Sequence, residues 1–186
     1  MTFLGQWKTR MSNKLYIGTK VLSGLMIIML VIFQVWIWVD PISMSAIADT
    51  TGVTQYISDP LTLPWWQWSL GFISTAIPMA CLITVLYSLL NLVRHFETDE
   101  WFNSISVILL RRIGIALIAY SITDFIFSET ILTLVLTITN EPGERLFSVA
   151  LSSYQIIALI GAMLALIIAE AFERAQRQSE ELQQII

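Results

Sequence analysis

Asp124 is the residue whose type and setting most invite chemistry. It interrupts a long apolar run, Ile113 to about Ile138, some eleven positions past the start. That places it somewhat beyond the middle of a hydrocarbon layer about 30 Å thick. A carboxylate at such depth costs about 3 kcal/mol on insertion scales, so it must face other helices, water or a partner. Ser121 and Ser128, three before and four after, share its helical face, and Tyr120 lies four before. All three can hydrogen-bond to it. Glu129 stands farther along the run, where the helix reaches the headgroups. Two readings follow for Asp124: a neutral acid satisfied by neighbouring hydroxyls, or a group that handles protons or cations. No Lys or Arg occurs at comparable depth in any span, so an internal ion pair is not expected.

Other chemistry is thinly represented. One cysteine, Cys81, excludes a disulfide framework and a cysteine metal cluster, and one histidine, His95, argues against a His-rich metal site. No nucleophile–base set, glycine-rich phosphate loop or HExxH motif appears, and the acids are too dispersed for a general acid–base pair. The chain is therefore read as non-enzymatic, without cofactor or metal. Its net charge of −4 argues against direct nucleic-acid binding.

These residues sit in a chain of 186 residues that is 56% hydrophobic and only 13% charged, with mean hydropathy +0.72. A soluble domain is about 25% charged. Four apolar runs are each long enough to cross a bilayer: about 21–39, 69–93, 113–138 and 147–169, followed by a helical tail over 170–186. Lipid admits only structures that satisfy their own backbone, so the expectation is one all-α domain, an integral membrane bundle of four transmembrane helices. The first run has a basic leader and is followed by Ala46-Ile47-Ala48, as a cleaved signal would be. Its nineteen residues exceed the 7–15 of a signal core, so it is read as a span. Pro78 is expected to kink the second.

Nine of the ten cations (Lys8, Arg10, Lys14, Lys20, Arg94, Arg111, Arg112, Arg174 and Arg177) flank one side of these runs, and only Arg145 flanks the other. The positive-inside rule then puts both termini in the cytoplasm, with the bacterial inner membrane as the location. On the outer side, Trp65-Trp66-Gln67-Trp68 reads as an interfacial anchor or as an aromatic ligand mouth. On the inner side, Trp101, Phe102, Ile105, Ile108 and Leu109 recur at helical spacing. They predict an amphipathic elbow helix between spans two and three, with Arg111 and Arg112 meeting lipid phosphates. Trp101 and Phe102 are also candidates for docking a cytoplasmic partner. Gly161, Ala165 and Ala169 form a ridge of small residues for close helix packing, within the bundle or in a homo-oligomer. Glu170–Arg174 and Glu173–Arg177, each four apart and acid first, should carry the last helix into the cytoplasm.

The run Leu89-Leu90-Asn91-Leu92-Val93-Arg94-His95-Phe96, then Glu100-Trp101-Phe102, then Leu109-Leu110-Arg111-Arg112-Ile113-Gly114, resembles the DUF2975 family of small bacterial membrane proteins. The helix end at Glu170, Phe172 and Glu173 with its glutamine-rich tail is similar too, although Asp99 replaces the glycine usual before the acidic-aromatic pair. The resemblance implies four spans and unknown activity. Some members are encoded beside a helix-turn-helix regulator, which implies membrane-linked control through a cytoplasmic regulator protein. Two functions stand as expectations: a sensing or partner-binding membrane protein, or a small oligomeric transporter working through Asp124.

Overall fold

The computed structural model describes residues 3–39, 63–97, 104–141, 143, 145, 147 and 151–185. Those residues are all-helical: α1 (Phe3–Val39), α2 (Trp65–Glu97), α3 (Ser104–Thr123), a π-helical segment (Asp124–Ile131), α4 (Leu132–Thr137) and α5 (Ser153–Ile185). The π segment joins α3 and α4 into one rod, Ser104–Thr137. Four helices are long and apolar enough to cross a membrane: Tyr16–Val39, Trp65–Phe96, Ser104–Thr137 and Ser153–Gln178.

Three starts move from their expected places. The second helix begins at Trp65 rather than 69, because the Pro64 carbonyl accepts the N–H groups of Gln67 and Trp68 and starts the turn. It then continues through Pro78 without a break. The third begins at Ser104 rather than 113, so Ser104–Arg112 is no separate elbow but the first turns of the span itself. No Gly or Pro interrupts that stretch, and Leu109, Leu110 and Ile113 are buried along it. Trp101 and Phe102 lie outside the described residues. The fourth begins at Ser153 rather than 147.

Packing follows chain order, first span on second, second on third, third on fourth. Each contact has a readable seam. On α1, Tyr16, Lys20, Ser23, Ile27, Leu30, Gln34 and Ile37 are buried or half-buried, alternating four and three apart. On α5 the same spacing picks out Gln155, Ala158, Ala162, Ala165, Ala169, Phe172 and Gln176. This alternation keeps one stripe of a helix facing a near-antiparallel neighbour. Ala165 and Ala169 thus pack inside the molecule, but the ridge runs through Ala162 rather than Gly161. A Cβ on Gly161 would meet only Leu117 at an ordinary 3.5 Å. The tight approach between the third and fourth spans is at Gly114, where a Cβ would come within 2.7 Å of Leu166 Cγ and 3.2 Å of the Ala162 carbonyl.

Two apolar clusters close the ends. At the arginine end, Leu92, Leu109, Leu110, Ile113, Ala165 and Ala169 unite three spans, and Phe96 meets Phe172 at 6.2 Å between ring centres. At the tryptophan end, Leu132 and Leu136 pack against Trp38, Leu63 and Trp68.

Candidate functional site

The third span loses its regular α register where its acids begin. From Asp124 to Ile131 the backbone is π-helical, bonding five residues back instead of four. Threonine hydroxyls take up carbonyls along the altered stretch. Thr123 Oγ1 donates to the Ala119 carbonyl (2.7 Å), Thr130 Oγ1 to Phe125 (3.1 Å) and Thr133 Oγ1 to Glu129 (2.9 Å). Such back-bonding satisfies backbone groups that lipid cannot.

The widened turn changes which residues share a face. Five positions along an α-helix rotate by about 140° relative to the start, whereas the wider π turn brings them to the same side of the helix. Asp124 and Glu129 are five apart and both half-buried. Tyr120, four before Asp124, is half-buried too. The π turn thus sets Tyr120, Asp124 and Glu129 on one side of the rod.

Ser121 and Ser128 do not serve Asp124 as expected. Ser121 Oγ faces backbone carbonyls, Leu117 at 3.0 Å and Gln155 at 3.2 Å. Ser128, four residues on, makes no hydrogen bond to Asp124. The partner is Gln155 on the fourth helix, whose Nε2 donates to Asp124 Oδ2 at 3.0 Å. Gln155 is fully buried.

Gln155 has a second task. Its Oε1 accepts the Ser152 N–H at 3.1 Å, while its own N–H bonds to the Ser152 carbonyl at 3.2 Å. Ser152-Ser153-Tyr154-Gln155 is therefore half of a capping box, the serine hydroxyl being buried without a partner among the described residues. One amide both starts the fourth helix and holds the carboxylate of the third. The S-x-x-Q spacing was the signal in the sequence that could have located it.

Glutamines stitch the other pairs as well. Gln34 Nε2 donates to Thr75 Oγ1 at 2.7 Å, where Trp38 Nε1 also arrives at 3.0 Å. Gln67, fully buried, donates through Nε2 to the Val135 carbonyl at 2.7 Å. In hydrocarbon an amide is retained where it finds such a partner across a seam.

Thirteen residues below Asp124, about 20 Å along the rod, the charged groups gather. Arg111 pairs with Glu173 and reaches Glu170 at 3.8 Å. Arg174 meets Glu170 at 3.2 Å and Arg177 meets Glu173 at 2.7 Å, so both pairs expected along the tail form. The tail thereby joins the third span as well as its own helix. Arg112 is exposed beside them.

Tryptophans cluster at the opposite end. Trp38 meets Trp68 edge-on at 5.7 Å and Phe72 at 6.5 Å, beside an apolar cleft between the first two spans. Among the described residues, no group of three or more His, Cys, Asp or Glu side chains could hold a metal ion.

The family model DUF2975, described as a protein of unknown function, matches residues 45–186. No curated protein and no solved structure matches the chain.

Proposed function

The chain belongs to the DUF2975 family, and from that premise we propose that it is a non-enzymatic, multi-pass inner-membrane protein that senses a change at its buried polar seam and relays it to a cytoplasmic partner. One observation carries this reading: the Asp124–Gln155 hydrogen bond, in which a single side chain holds both the π segment and the cap of the fourth helix. Anything that engages Asp124 competes for the group that begins a 33-residue helix. That helix ends in the ion-paired tail, next to Arg111. A rigid element biased at one end and read at the other is the physical requirement for such coupling.

Crosslinking and pull-down from native membranes tests the proposal. A specific cytoplasmic protein should be captured, and capture should change with Gln155→Leu and with Arg174→Glu/Arg177→Glu. If no specific partner appears under any growth condition, or if capture ignores both variants, the reading is wrong.

A second reading rests on the grouping of Tyr120, Asp124 and Glu129: an oligomeric carrier of protons or cations. Proteoliposome flux separates the two. Flux abolished by Asp124→Asn supports the carrier, and flux equal to that of empty vesicles removes it.

A further inference from the structure

A groove of about 480 Å³ opens between the second and third spans at the arginine end, within the ordinary range for an organic ligand. Arg111 and Arg112 stand at its mouth, and it runs past Ile108 and Ile115 to Ala119, Cys81 and Thr84. From Arg112 to Ala119 is about 10 Å along the helix. The depression arises because Ala116 and Ala119 are small where Ile108 and Ile115, both largely exposed, project.

Its chemistry selects the occupant. The polar atoms inside are already engaged: Thr84 Oγ1 donates to the Ala80 carbonyl at 2.9 Å, and Cys81 Sγ lies 3.9 Å from Thr123 Oγ1. Nothing there is offered to a polar ligand, so the interior suits hydrocarbon. At the mouth the two cations differ. Arg111 is compensated by Glu170 and Glu173, whereas Arg112 makes no ion pair or hydrogen bond among the described residues. A slot for a chain with one uncompensated cation at its rim complements an anionic amphiphile. We propose that the groove seats one acyl chain of an anionic phospholipid, whose phosphate meets Arg112. This rests on the membrane reading of the four spans but not on any partner or on Asp124.

The test uses the purified full chain in detergent, offered equal amounts of phosphatidylglycerol and phosphatidylcholine with the same acyl chains, with retained lipid read by native mass spectrometry. Wild type should retain phosphatidylglycerol about fivefold over phosphatidylcholine, the preference one cation confers near a membrane surface. Arg112→Gln should bring that ratio to about one while leaving phosphatidylcholine retention unchanged. Thr84→Phe, and independently Ala119→Phe from the opposite helix, should lower retention of both lipids by filling the slot. Thr84 and Arg112 are exposed positions, so folding should survive their replacement. Equal retention of the two lipids by wild type overturns the proposal. So does undiminished phosphatidylglycerol in the filled variants, or displacement of the lipid by glycerol phosphate, which would mark a free-phosphate site. The readout needs no cytoplasmic protein, so its failure leaves the proposed relay untouched, and failure of the relay leaves the lipid result standing.

Discussion

Replacing Gln155 with leucine should do more than delete one hydrogen bond. The side chain gives Oε1 to the Ser152 N–H and Nε2 to Asp124. Loss of the cap contact costs about 1 kcal/mol. Asp124 Oδ2 is then left without its cross-helix donor, and an interhelical hydrogen bond in lipid accounts for about another 1 kcal/mol. The single variant should therefore be destabilised by about 2 kcal/mol, taking cap and bond together. Asp124→Leu alone strands the glutamine amide and should cost about 1 kcal/mol. The double variant strands neither group, because removing both partners of a buried bond is nearly neutral, so only the cap loss of about 1 kcal/mol should remain. Adding Asp124→Leu to Gln155→Leu should thus restore stability. Reversible unfolding of the full chain in mixed detergent micelles, followed by circular dichroism, measures all three variants. If the double variant is as unstable as the sum of the singles, the two side chains are not coupled. The assigned hydrogen bond, with the relay built on it, would then be refuted.

Other consequences are simpler. Gly114→Ala should destabilise by about 1–3 kcal/mol, since its Cβ overlaps Leu166 and the Ala162 backbone cannot retreat, whereas Gly161→Ala should shift stability by less than about 0.5 kcal/mol. The same unfolding assay ranks the two, and the opposite order would place the close helix contact elsewhere. Gln34→Leu should cost about 1 kcal/mol by removing one of the two donors to Thr75 Oγ1, and Thr75→Val should cost more, because Trp38 Nε1 loses its acceptor as well. Arg111→Gln should cost under about 1 kcal/mol despite two acidic neighbours, because its side chain is half exposed. Any such loss should shrink in high salt, and a loss indifferent to salt would assign Arg111 a packing role instead.

Composition and run length alone determine four helices long and apolar enough to cross a membrane, because a hydrocarbon layer of fixed thickness needs a fixed number of apolar residues. They also single out Asp124, since a carboxylate is conspicuous in such a run. The quoted motifs from Leu89 onward point to the family, and the match over residues 45–186 bears that out. What the chain conceals is which face of each helix meets which neighbour. In water an amphipathic stripe answers that question, but a span that is apolar all round has no stripe. Only the folded arrangement shows that Gln34, Gln67 and Gln155 mark the seams. It shows likewise that Glu170 and Glu173 at the start of the tail bind back to Arg111 on the third span. The π turn is of the same kind. Nothing in Asp124-Phe125-Ile126-Phe127-Ser128-Glu129 announces a register of five, yet that register brings the two carboxyls to one side of the rod. Local spacing fixes a residue's face only while the helix stays regular; where it widens, the neighbouring helices and their hydrogen bonds decide.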